Sequence, residues 1–117
     1  MTRLLLTAFI GLLGAVCAGA QDWPSFRGDA GLTGVSTSTL PANPDLVWSY
    51  AAGGAIYGAA AIADGTVFVG SVDHGLHAVD FQDGQFRWRY DAGEALNASP
   101  TYADGVVYVG EELGVFH

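Results

Sequence analysis

Few side chains in this sequence could do chemistry. His74 and His77 stand three residues apart. On a helix that interval would set both imidazoles on one face, the beginning of a metal site. Here, however, Asp73-His74-Gly75 reads as a turn, with Gly75 free to take the left-handed position, and Leu76 to Asp80 reads as a strand. The pair therefore straddles a turn and a strand start. His74 is expected as a solvated turn residue, and His77 as a filler of a place more often held by an aromatic ring. Asp80 and Asp83 offer paired carboxylates, but both flank a turn, where Asp serves the backbone. Ser71 and Ser99-Pro100 lie at strand ends with no sequence case for a catalytic triad. Asn97-Ala98-Ser99 is formally a glycosylation site, and the following Pro100 disfavours it. No glycine-rich phosphate cradle opens a helix.

Composition narrows the classes. The 117 residues allow one small domain, and 17 glycines in a chain that is 50% hydrophobic suit short strands and tight turns. Twelve acidic residues face four arginines and no lysine, a net charge of -8. Such a surface repels phosphate backbones and anionic headgroups, so nucleic acid is excluded as an expected partner.

The N-terminus carries an export pattern. Arg3 supplies the positive flank, Leu4 to Val16 is uncharged and apolar, and Ala18-Gly19-Ala20 has the small-x-small form of a cleavage site. The apolar run is too short for a comfortable membrane span. Cleavage is expected between Ala20 and Gln21, giving a periplasmic or extracellular chain. Cys17 is the single thiol; lipid anchoring there is the minor alternative, because Gly14 and Val16 reverse the usual order of large and small residues before an acylated cysteine. Removal of residues 1–20 leaves no cysteine for disulfides, metals or nucleophilic catalysis.

What would position any site is a repeat of 40 residues. Trp48-Ser49-Tyr50 matches Trp88-Arg89-Tyr90, Ala52-Gly53 matches Ala92-Gly93, and Asp64-Gly65 matches Asp104-Gly105. The run at 66–70, TVFVG, matches VVYVG at 106–110. Beyond Gly110 the letters suggest a slip of one, pairing Gly75 with Gly114 and Leu76 with Val115. Within a period four strands are predicted: Ile56 to Ile62, Thr66 to Ser71, Leu76 to Asp80, and Phe86 to Tyr90. Asp64-Gly65 and Asp104-Gly105 are two-residue hairpin turns, since both positions of such a turn need positive φ. Four antiparallel strands in about forty residues make the unit of a β-propeller blade.

The stretch AVDFQDGQFRW at 78–88 links the third and fourth strands. Its Ala78, Asp80, Gly84 and Trp88 form the pattern Ala-x-Asp-x-x-x-Gly-x-x-x-Trp, with Trp48 the corresponding tryptophan one period earlier. The pattern resembles the tryptophan-docking motif of the pyrroloquinoline-quinone (PQQ) repeat family, apart from Asp83 where threonine is usual. The segment 22–36, DWPSFRGDAGLTGVS, resembles the lead-in before the first repeat of such proteins, and LPANPDLVWSY at 40–50 resembles the outer strand of a blade.

The resemblance implies an all-β propeller of four-stranded antiparallel blades, in which the tryptophan packs between neighbours. The organisation expected is a signal peptide at 1–20, a lead-in at 21–44, and repeats at 45–117, about one and a half blades plus the preceding outer strand. The chain reads as an N-terminal fragment that needs its remaining blades to close the ring. The functional expectation is a non-catalytic scaffold resembling outer-membrane assembly proteins of the BamB type. It would hold other proteins through blade-end loops or strand edges, with no cofactor in this chain. Two alternatives stand beside it. One is a quinoprotein alcohol or sugar dehydrogenase using PQQ and calcium, for which no catalytic or ligand set can be assigned here; the other is a sensor ectodomain.

Overall fold

The computed structural model describes residues 21–117; the export pattern, with Cys17 and Ala20, lies outside the described residues. The described residues form six strands: β1 (Ala61–Ala63), β2 (Thr66–Gly70), β3 (Gly75–Asp80), β4 (Phe86–Asp91), β5 (Thr101–Ala103) and β6 (Val106–Tyr108). The first four form one antiparallel sheet in the order β1-β2-β3-β4, and β5-β6 begin a second. Among the described residues there is no helix. The fold is all-β and propeller-like: one four-stranded blade, and a hairpin 40 residues on that repeats its first two strands.

Both hairpin turns take the geometry their residues permit. Asp64 and Gly65 have φ of 48° and 66°, and Asp104 and Gly105 have 49° and 84°. Aspartate tolerates this left-handed region because its short polar side chain can bond locally, and glycine enters it at no steric cost.

Strand β3 is buried on both faces. Phe68, Ala78 and Leu76 fall on one face and join Leu96, Val109, Ala61 and Ala63 in the core. Val67, Val79 and His77 fall on the other. The first face is therefore shared with the second repeat, and Phe68 stacks on Tyr102 at 5.9 Å. Each core side chain of Leu or Phe size so removed from water contributes roughly 1.5–3 kcal/mol.

Three expectations need correction. Strand β1 spans three residues, not 56–62. Before Ala61, the approach to the second repeat lies against residues 58 and 59 instead. A Cβ on Gly58 would stand 2.7 Å from the Ala98 carbonyl oxygen, and the Ala59 N–H donates to Ser99 Oγ at 2.8 Å. Residues 40–50, expected as an outer strand, form no ladder, because among the described residues no strand pairs with them. Side chains hold them, as described below.

The third correction concerns register. In the first repeat Gly70 pairs Leu76, and the Ser71 N–H donates to Gly75 O at 3.0 Å. In the second, Gly110 bridges Phe116, and the Glu111 N–H donates to Val115 O at 2.9 Å. Each pair is displaced by 40, so no slip occurs. Matching Gly75 to Gly114 by letter was misleading. The left-handed residue of the first turn is His74, at φ 70°, and its counterpart is Gly114, at φ 91°. Gly75 is glycine for lack of room: a Cβ there would collide with Arg89 Nε and lie 2.8 Å from His77 Nε2.

The lead-in crosses the inner edges of both sheets. Trp23 and Ile62 exchange backbone hydrogen bonds at 2.7 and 2.8 Å, and the Tyr102 N–H donates to Pro24 O at 2.7 Å. Ile62 and Tyr102 are equivalent positions of the repeat, so one extended dipeptide staples β1 to β5.

Candidate functional site

The candidate site is the seam where one repeat meets the next. Its scaffold is the turn between β3 and β4. Asp80 organises that turn: its Oδ1 accepts the Gln82 N–H at 2.7 Å and the Asp83 N–H at 3.3 Å, while its carbonyl accepts the Gly84 N–H at 3.0 Å. Arg87 reaches back to Asp80 Oδ2 at 2.6 Å and also donates to Thr66 Oγ1. The Arg87 hydrogen bond, with help from the Gln82 N–H, holds the Asp80 carboxyl below the ordinary aspartate value. Asp83 accepts the Gln85 N–H at 3.0 Å, which leaves it a turn residue as expected.

Gly84, at φ 70°, closes the turn and receives Trp48. A Cβ at Gly84 would lie 2.6 Å from Trp48 Cε3, and the indole Nε1–H donates to Phe81 O at 2.9 Å. Ala78 sits in register between Phe68 on β2 and Trp88 on β4. Its small side chain lets those two rings meet over it at 5.8 Å. A bulge between Ala78 and Val79 then brings Phe86 opposite Val79.

Trp88 differs from its expected burial. It points toward the second repeat but is 41% exposed. With Leu76, Tyr90, Val106, Val109 and His117 it lines an apolar groove of about 650 Å³. Trp48, by contrast, has the turn at Gly84 packed against it.

The two histidines do not form one site. His74 is exposed in its turn, and His77 is buried. His77 Nε2 faces both Asp73 oxygens at 3.0 Å, and its Nδ1 faces Tyr50 Oη at 2.9 Å. Its ring meets Tyr50 edge-on at 5.7 Å. Burial pushes the Asp73 carboxyl up. The His77 hydrogen bond and the N–H groups of Gly75 at 3.0 Å and Gly53 at 2.8 Å outweigh that and hold it at about 2. Neither Tyr50 nor Asp73 was singled out from sequence. A usable signal existed: the interval from Tyr50 to His77 recurs from Tyr90 to His117, hidden by the false alignment through Gly114.

The serines serve the backbone. Ser71 is fully buried and its Oγ accepts the Asp73 N–H at 3.3 Å, while Ser99 Oγ accepts from Ala59. Among the described residues no three or more His, Cys, Asp or Glu side chains gather as a cation would require. No helix among them is long and apolar enough to cross a membrane.

Residues 19–116 match a protein-family model described as Outer membrane protein assembly factor BamB. No curated protein matches the chain.

Proposed function

Because the chain belongs to the PQQ-like repeat family described as Outer membrane protein assembly factor BamB, we propose that it is an exported, non-catalytic scaffold that holds other proteins during outer-membrane protein assembly. The observation that carries this reading is strand β4. It ends the order of its sheet, and all six of its residues are exposed, Phe86, Trp88 and Tyr90 among them. Such a strand offers unpaired backbone groups beside aromatic side chains, the two elements by which an extended segment of another protein is bound. The Asp80 and Asp83 carboxylates accept from backbone N–H groups, and Asp80 also from Arg87, which gives them structural work.

The test has two arms. A photo-crosslinking side chain at Arg87 or Phe86, in cells exporting the chain, should give discrete adducts with outer-membrane or envelope proteins. A competing β-strand peptide should suppress them. The purified chain should also show no saturable response when titrated with PQQ and calcium, followed by tryptophan fluorescence and dye-linked alcohol oxidation. Micromolar binding with alcohol-dependent turnover would replace the scaffold by the dehydrogenase reading. The proposed export predicts that the secreted chain begins at Gln21; a lipid-bearing start at Cys17 would make it membrane-anchored.

A further inference from the structure

The contact among Tyr50, His77 and Asp73 occurs twice. Forty residues on, Tyr90 Oη faces His117 Nδ1 at 3.2 Å, and His117 Nε2 faces Glu111 Oε2 at 3.2 Å. The rings meet edge-on in both: 5.7 Å and 61° for Tyr50 with His77, 5.6 Å and 60° for Tyr90 with His117. The carboxylate, however, comes from a different place. The counterpart of Asp73 is Leu113, which cannot serve. Glu111, two residues earlier and one methylene longer, supplies the acid from the position that Ser71 holds in the first repeat. Two repeats thus reach one arrangement of phenol, imidazole and carboxylate by different residues.

We propose that this arrangement is a polar latch that fixes the register of each repeat against the next. The chemistry sets its direction. A carboxylate only accepts, so Nε2 carries the hydrogen, and in the neutral ring Nδ1 is left to accept from the phenol O–H. Each ring nitrogen thus faces a different residue, which sets the orientation of the imidazole. The tryptophan contact alone does not do this. The Trp48 indole is held by one hydrogen bond, to Phe81 O, and packs on Gly84. Tyr50 lies two residues further along the same segment and supplies the second fixed point.

The latch predicts a defined tautomer and a coupling. In long-range proton–nitrogen spectra of the full chain at neutral pH, His77 and His117 should each show hydrogen on Nε2 alone. His74, exposed in its turn, serves as the reference for a ring whose tautomer nothing fixes. Tyr50→Phe and Asp73→Asn should each lower the urea midpoint, and the double variant should fall by less than their sum. In the second repeat Glu111→Gln should abolish the fixed tautomer of His117. Adding Leu113→Asp, which restores acid at the position of Asp73, should bring it back; Leu113 is 73% exposed and free to change. His77 and His117 spectra like that of His74 would overturn the proposal, even if every variant failed to fold. Additive midpoint shifts, or no rescue by Leu113→Asp, would overturn it as well.

Discussion

Trp48 and Gly84 occupy one another's space: a Cβ at Gly84 would lie 2.6 Å from the indole Cε3. Glycine is required there twice over, for φ of 70° and for the ring. Gly105 has only the first requirement, with φ 84° and nothing within 4 Å of an added Cβ. Gly105→Ala should therefore cost about 1 kcal/mol, the left-handed penalty alone, and Gly84→Ala roughly 3 kcal/mol or more, since the docked ring must also move. Urea unfolding of both variants measures the difference. Equal losses would mean that the docked tryptophan imposes no constraint.

The turn at 73–75 should respond opposite to its letters. His74 bears the left-handed strain, so His74→Gly should leave the chain at least as stable as before, the relief of about 1 kcal/mol offsetting the entropy of glycine. Gly75→Ala should destabilise it by driving a methyl into Arg89 and His77. A loss of more than about 1 kcal/mol on His74→Gly would contradict the assignment of strain to that residue.

Acid should weaken the fold through Asp73. Its carboxyl is held at about 2 against an ordinary 3.8. A lowered folded-state value means stabilisation that is complete above the ordinary value and is lost as pH falls from there through about 2. The contribution is on the order of 1–2 kcal/mol after allowance for solvent. Stability measured from neutral pH down to strong acid should show this limb, and Asp73→Asn should flatten it. An unchanged acid limb in that variant would place the loss elsewhere.

Deleting residues 21–36 should free two particular amides. The N–H groups of Ile62 and Tyr102 donate to Trp23 O and Pro24 O in the lead-in. Their hydrogen exchange should accelerate on deletion, while the amides joining β2 to β3 stay protected. Protection persisting at Ile62 and Tyr102 would show that the staple between the two sheets does not hold in solution.

The blade was legible because its turns are written in residue types that backbone geometry demands. Asp64-Gly65 and Asp104-Gly105 fix two hairpins, and the apolar runs between turns fix β2 and β3. What escaped was whatever depends on contacts distant in sequence. The shortening of β1 comes from Ala98 and Ser99 lying on Gly58 and Ala59, and nothing in residues 56–60 announces it. The left-handed residue at 74 is a histidine, so the eye goes to the neighbouring glycine, and the register appears to slip. With the register displaced, Tyr50 and His77 no longer matched Tyr90 and His117, and the polar contact between repeats went unseen.

The staple made by Trp23 and Pro24 also bears on the order in which the chain can assemble. Its two anchor points are far downstream: Ile62, and then Tyr102, which lies 78 residues after Pro24. A ribosome adding roughly 5–20 residues per second needs several seconds to deliver that second anchor. Closing so long a loop also carries a larger entropic cost than closing any hairpin in the blade. The sheet of β1 to β4 can form meanwhile from neighbouring strands. The lead-in, made before either anchor, is then set after the blade it crosses. A nascent chain stalled short of Tyr102 keeps the inner edge of its second sheet unformed and its lead-in half anchored, open to any extended strand that arrives sooner.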